Sequence, residues 1–237
     1  MRVLYEGNYQ MKKLLAALAI TCATSVIAHA ADLAPAPAPI AQKDWFVKAG
    51  VSGIFFEPAL NNTVILGPAS FLAPGATASI GSNVTGSLEI GRFVTNNIAL
   101  TFEGGIPPST TFTAGGTIAG LGNVASATYG FVGAGAEFHP IRNGLLDPYV
   151  DGGLAYNMIF STSPSAAVSN LSIPNSFGGY VGAGLGMKVK DSVGVYVSAK
   201  QFFLSTNISA NVAGVGPFSS NAQLNPFVVS AGLSYDF

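Results

Sequence analysis

From Trp45 to the end of the chain, apolar side chains recur at every second position, the period of a β-strand with one apolar face. In "NVTGSLEIGRF", Val84, Leu88 and Ile90 alternate with Thr85, Ser87 and Glu89. "NIALTFEGGI" sets Ile98, Leu100 and Phe102 against Ala99, Thr101 and Glu103. "SATYGFVGAGAEF" sets Val132, Ala134, Ala136 and Phe138 against Gly133, Gly135 and Glu137. "PYVDGGLAYNMIF" sets Val150, Leu154, Tyr156, Met158 and Phe160 against Asp151, Gly153 and Asn157. "SFGGYVGAGLGMKV" opposes Phe177, Val181, Ala183, Leu185 and Met187 to Tyr180, Gly182, Gly184 and Lys188; "SVGVYVSAKQF" opposes Val193, Val195 and Val197 to Tyr196, Ser198 and Lys200. With "DWFVKAGVSGIFFEP" at the start and "LNPFVVSAGLSYDF" at the end, the pattern predicts eight strands.

The connections alternate in length. "VTNN", "HPIRNGLLD" and "KD" are short, whereas residues 58–82, 107–124, 161–175 and 206–222 form long loops. Short turns on one side and long loops on the other are the pattern of an outer-membrane barrel, with turns in the periplasm and loops outside. The fold class expected is therefore all-β: an eight-stranded antiparallel transmembrane β-barrel over residues 45–237. An open sheet edge in lipid leaves backbone groups unsatisfied, so the last strand must pair with the first. This accounts for alternation that continues to the final residue. The aromatics Trp45, Phe46, Phe93, Phe138, Tyr149, Tyr235 and Phe237 are expected to form part of an interfacial girdle at the short-turn end.

Composition narrows the reading. The chain is 49% hydrophobic and only 9% charged, yet it holds no long apolar run after residue 30; a helical span needs about 20 mostly apolar residues. The few charges fall opposite the apolar stripes. The side chains expected to line the lumen are Glu89, Glu103, Glu137, Asp151, Asn157, Tyr180, Lys188, Tyr196 and Lys200, with the two lysines paired to Glu103, Glu137 or Asp151. A charge on the lipid face near the midplane would cost about 2–4 kcal/mol for Arg or Lys.

Residues 1–30 read as a signal peptide: Lys12 and Lys13, an apolar stretch from Leu14, then Ala28-His29-Ala30 before the cleavage point. Met11 is an alternative start. Cleavage removes Arg2, Lys12, Lys13 and Glu6 together with Cys22, leaving a cysteine-free chain of net charge −3. Residues 31–44, "ADLAPAPAPIAQKD", read as a Pro/Ala-rich periplasmic linker.

Catalytic chemistry is sparse. His139 is the one histidine past the leader and falls in a short turn, so it reads as a turn residue. Barrel enzymes acting on lipid need a nucleophile and a base close together, generally at the outer leaflet, whereas His139 is expected at the periplasmic end, and the spacing of a metal site is missing. The chain is expected not to be an enzyme and to take no cofactor or metal. A net charge of −1 provides no footprint for nucleic acid. "GFVGAGAEF" and "GGYVGAGLGM" lie in strands, where Gly permits curvature and close approach. "GGTIAGLGNVA" could form a short amphipathic helix within its loop.

Several stretches in this order resemble the OmpW/AlkL family of small outer-membrane barrels. They are "RFVTNNIALTFEGGIPPSTTFTAGGTIAGLG", "YGFVGAGAEFHP", "LDPYVDGGLAYNMIF" and "LNPFVVSAGLSYDF", with Trp45 and "FFEP" at the opening. The closing "SAGLSYDF" also resembles the C-terminal assembly signal of bacterial outer-membrane proteins, through Ser230, Gly232, Tyr235 and Phe237. The family resemblance implies a narrow, passive, largely hydrophobic channel that carries small apolar molecules across the outer membrane and releases them sideways through the barrel wall. The partners implied are outer-membrane lipid, the outer-membrane assembly machinery acting on the last strand, and a small hydrophobic solute, for a monomer or weak oligomer. The alternative is a structural or surface-interaction barrel whose loops bind a partner without transport.

Overall fold

The computed structural model describes residues 44–56, 59–65, 71–72, 75–142, 144–213 and 216–237. The leader expected at 1–30 and nearly all of the linker expected at 31–44 lie outside the described residues. Eight strands form one closed antiparallel ring: β1 (Trp45–Phe55), β5 (Asn83–Phe93), β6 (Ile98–Gly105), β8 (Asn123–Phe138), β9 (Leu146–Pro164), β11 (Ser176–Lys190), β12 (Val193–Phe203) and β15 (Phe227–Asp236). Each pairs with the next in this order, and β1 closes the ring by pairing with both β5 and β15. Trp45 and Phe237 exchange backbone hydrogen bonds at 3.1 and 2.9 Å, so the chain end is held in the ladder. Among the described residues no helix is long and apolar enough to cross a membrane.

The pleat sorts the side chains as the alternation requires. Val84, Leu88, Leu100, Phe102, Leu154, Phe177, Val181 and Leu233 are exposed on the outside of the ring. Their neighbours along each strand point into the enclosed interior. An eight-stranded barrel is just wide enough for its side chains to fill, so a bulky ring needs a small residue across from it. Gly91 and Gly184 supply that space: a methyl group at Gly91 would fall within the Phe46 ring, and one at Gly184 within the Tyr149 ring.

The long connections depart from expectation, because they are β-structure. β2 (Ala59–Ile65), β3 (Phe71–Leu72), β10 (Val168–Ser172), β13 (Ser205–Val212) and β14 (Gly216–Gln223) form a second sheet in the order β10-β13-β14-β2-β3. β4 (Ala76–Ile80) and β7 (Ser109–Gly116) extend the barrel sheet beyond β8. β8 and β9 are 16 and 19 residues long, more than the roughly 9–11 residues that a tilted strand uses to cross a bilayer. They carry the wall past the membrane. Sequences such as "STNISANV" hide this because the inward stripe, Thr206, Ile208, Ala210 and Val212, is short and begins with a polar residue. The segment "GGTIAGLGNVA", whose Gly content weakens any helix, forms only a 3₁₀ turn at Ala119–Leu121 that buries nothing.

Candidate functional site

The barrel interior is layered along its axis. At the short-turn end, His139 sits just past β8 and is almost fully buried. Asn97 ties it to the neighbouring turn: the His139 N–H donates to the Asn97 carbonyl at 2.8 Å, and the Asn97 amide donates to the His139 carbonyl at 2.6 Å. Nδ1 of the ring lies 2.8 Å from Asp147 Oδ1, and Nε2 lies 3.0 Å from Glu137 Oε2. A neutral imidazole has one N–H, so two carboxylates, one at each nitrogen, are both satisfied only by imidazolium. Burial opposes that charge; the hydrogen bonds and the charges of Asp147 and Glu137 outweigh it and raise the pKa above its ordinary value. Phe93, Tyr149 and Phe46 pack around the ring with centroids at 5.0, 5.2 and 6.3 Å, and the Arg142 guanidinium lies 3.4 Å from the Phe93 centroid.

Next along the axis is a layer of ion pairs. The strand register places Glu89 directly opposite Glu103, and Glu137 opposite Asp151. Like charges across a ladder repel, and two lysines resolve the conflict. Lys48 Nζ lies 2.8 Å from Glu89 and 2.7 Å from Glu137. Lys200 Nζ lies 3.0 Å from Glu89, 2.8 Å from Glu103 and 2.7 Å from Asp151. β12 and β6 stand on opposite sides of the ring, so the Lys200–Glu103 pair crosses the lumen. Lys48 also sits 3.9 Å from the Tyr149 ring centroid and Lys200 5.1 Å from that of Tyr180.

Beyond the ions lies an aromatic partition. Phe202 packs on Phe131 at 4.8 Å and on Tyr180 at 5.2 Å. On its long-loop side lies a small cavity, open at its mouth. Its walls are mainly apolar, with Ile54, Phe112, Phe131, Ile159, Leu204 and Leu224 prominent; Asn157, Thr110 and Tyr129 are the polar side chains among them. Among the described residues, no charged side chain lines it.

One side of this cavity meets a weak seam in the wall. β6 pairs with β5 as far as Ser87–Gly105 and with β8 as far as Gly104–Val132. β7 rejoins β8 at Ser109–Thr128. Ile106, Pro107 and Pro108 lie between, and the two prolines have no N–H to donate. Isolated bonds bridge the seam, including Tyr129 N–H to the Pro108 carbonyl at 3.1 Å and the Thr85 hydroxyl to the Ile106 carbonyl. Ile106 N–H donates to Gly86 at 2.9 Å, Gly81 N–H to Thr111 at 3.2 Å, and the Asn83 amide to the Tyr129 hydroxyl at 3.3 Å. The cavity-lining residues Ile80, Thr110 and Tyr129 stand along it.

Of the side chains expected in the lumen, Glu89, Glu137, Asp151, Asn157, Tyr180, Tyr196 and Lys200 are buried on the inner face, and Glu103 is nearly so. Lys188 is half-buried near the short-turn mouth and makes no ion pair among the described residues, contrary to the pairing expected of it. Ser230 points inward, its hydroxyl 2.6 Å from that of Ser52. Gly232 lies opposite Gly50 in the β1–β15 ladder, while Tyr235 and Phe237 are exposed outside. The aromatic set divides. Trp45, Phe138, Tyr235 and Phe237 face outward, and Trp45 stacks on Phe237 at 6.5 Å. Phe46, Phe93 and Tyr149 instead turn inward around His139, because they share the parity of Lys48, Glu89 and Asp151. His139 is more than a turn residue, since both ring nitrogens are engaged. Lys48 escaped the sequence reading, although its place two residues after Phe46 and four before Ser52, against Val47 and Val51, marks it as inward.

The chain matches known proteins over this whole region. A family model described as the OmpW family covers residues 41–237. The outer membrane protein AlkL of Ectopseudomonas oleovorans is 27% identical over 196 residues, 83% of each chain. The solid-state NMR structure of AlkL in DMPC lipid bilayers has a TM-score of 0.65 at 25% identity, covering 88% of this chain and 97% of that one. The crystal structure of the outer membrane protein OprG from Pseudomonas aeruginosa, at 16% identity, shares the fold with a TM-score of 0.75 over 83% of this chain and 96% of that one.

Proposed function

Because the chain belongs to the OmpW family of outer-membrane β-barrels, we propose that it is a narrow passive channel for small, predominantly hydrophobic solutes. The observation that carries this reading is an apolar cavity on the long-loop side of a lumen crossed by ion pairs. A solute arriving from outside gains from leaving water in the cavity, at about 25 cal/mol per Å² of apolar surface. Going straight on would require it to part buried lysines from carboxylates, which is far more costly. The seam at Ile106, Pro107 and Pro108 has fewer bonds to part, so release occurs there, sideways into lipid. The inward residues then divide the work: Lys48, Glu89, Glu103, Glu137, Asp151 and Lys200 close the floor, and Tyr180 backs the partition above it.

Uptake of an apolar fluorescent tracer tests the proposal, in cells with the chain, without it, and with Ala127→Trp. Ala127 is buried in the cavity wall, and an indole there fills the space. The wild type is expected to raise the uptake rate several-fold and the variant to abolish the gain at equal surface level. Equal uptake in all three strains would refute the channel.

The five-stranded sheet built from the long connections gives the surface-interaction reading its one specific support. Deleting the tips of the long loops would abolish cell adhesion and spare uptake if that reading were right. We also propose that the assembly machinery takes the chain by its last strand. Tyr235 and Phe237 present an outward aromatic pair at 6.1 Å, and deleting Phe237 is expected to lower the membrane-inserted yield without changing synthesis.

A further inference from the structure

The cavity contains one feature that a site for pure hydrocarbon has no use for. Asn157, on β9, is 4% exposed and lines the apolar cavity, and its carboxamide has no hydrogen-bond partner among the described residues. Its backbone needs no help from the side chain, because position 157 is already in the ladder with Phe131 and Ser176. Ser176, its cross-strand neighbour on β11, is also buried, and its hydroxyl has no partner among the described residues. The other polar groups of the cavity are engaged: the Thr110 hydroxyl donates to the Gly81 carbonyl at 2.8 Å, and the Tyr129 hydroxyl accepts from Asn83. The amide faces the space of the cavity, and an apolar residue of similar volume there would leave no polar group without a fixed partner in a mainly apolar wall. The amide offers both a donor and an acceptor and carries no charge. Among the described residues no charged side chain lines the cavity, so a carboxylate or ammonium group finds no counter-ion among them.

We propose that the preferred ligand of this cavity is a small apolar molecule bearing one uncharged polar group, such as an alcohol, ketone or ester, with that group bound by Asn157 beside Ser176 and its hydrocarbon part against Phe112, Ile159 and Leu224. This rests on the channel reading and narrows its substrate class.

The test measures equilibrium binding to the full chain in lipid nanodiscs, by displacement of a fluorescent apolar probe with 1-octanol and with octane; empty nanodiscs supply the background. Asn157→Leu is expected to weaken octanol relative to octane by about tenfold, the effect of one well-placed hydrogen bond in an apolar site. In the wild type, the Asn157 side-chain amide resonances are expected to move with octanol and stay fixed with octane; this arm stands even if the variant fails to fold. An unchanged octanol-to-octane ratio in Asn157→Leu, or an amide that ignores octanol because water already satisfies it, overturns the inference and leaves the channel standing. Displacement by neither compound overturns both.

Discussion

The two halves of the barrel interior are built from the same eight strands and the same pleat, yet they hold opposite chemistries. Toward the short turns the inward positions are Lys48, Glu89, Glu137, Asp151 and His139, closed by Phe46, Phe93 and Tyr149. Toward the long loops they are Ile54, Phe131, Ala155, Phe202, Leu204 and Val228. The pleat decides only whether a side chain faces in or out. What faces in at each height decides whether the interior is a strut or a container. In the charged half Lys48 and Lys200 each hold two or three carboxylates across the lumen; in the apolar half no such pair ties the walls together, and a cavity with mainly apolar walls opens between them.

The largest effect is expected in the charged half. Lys200→Met strands Glu89, Glu103 and Asp151 with one remaining lysine, and removing one partner of a buried pair costs about 3–5 kcal/mol. Urea unfolding in bilayers would measure it. A cost below about 1 kcal/mol, the range of exposed pairs, would mean that the ionic layer is wet and is no floor.

His139 tests the same half through pH. Its folded pKa is raised, so its contribution is complete below the ordinary value of about 6.5 and is lost as pH climbs through the folded value. Stability is therefore expected to fall from pH 6 upward through neutrality and beyond. His139→Gln keeps a hydrogen bond but no charge; it should flatten that slope and cost about 1.5–3 kcal/mol at pH 6, the range for charged hydrogen bonds. A slope unchanged by the substitution would assign the pH dependence elsewhere.

Much of this contrast was legible in the sequence and some was not, for physical reasons. A charge opposite an apolar stripe has one place to go in a closed barrel, so Glu89, Glu103, Glu137, Asp151 and Lys200 declared their side. Which charges meet depends on register and on reach across the lumen. Lys48 and Glu137 are 89 residues apart, and no local pattern links them. His139 looked idle because Asp147 approaches it only after the turn reverses the chain. The strands of the long connections alternate over only a few residues, and their inward sets mix in threonine, as in Thr110, Phe112 and Ala114 or Thr206, Ile208, Ala210 and Val212, so the period-two signal is weaker there than in the barrel strands. The cavity itself is a matter of what the inward side chains fail to fill, which alternation does not encode.

The smallest effects separate the halves most finely, because they compare a methyl group added with one removed. Gly91→Ala puts a methyl into the Phe46 ring in the packed half, and overpacking of that kind costs about 1–3 kcal/mol. Ile159→Val takes a methylene from the cavity wall, where the usual cost is about 0.5–1.5 kcal/mol. The lower end of that range is expected, since the side of Ile159 that faces empty space has few contacts to lose. The substitution should also lengthen by about one carbon the longest straight-chain solute taken up at the wild-type rate, as one methylene of wall is exchanged for one of ligand. Unfolding and uptake series on both variants would measure this. If Ile159→Val proved costlier than Gly91→Ala, the loop-side half would be the tightly packed one, and the division into strut and container would have to be reversed.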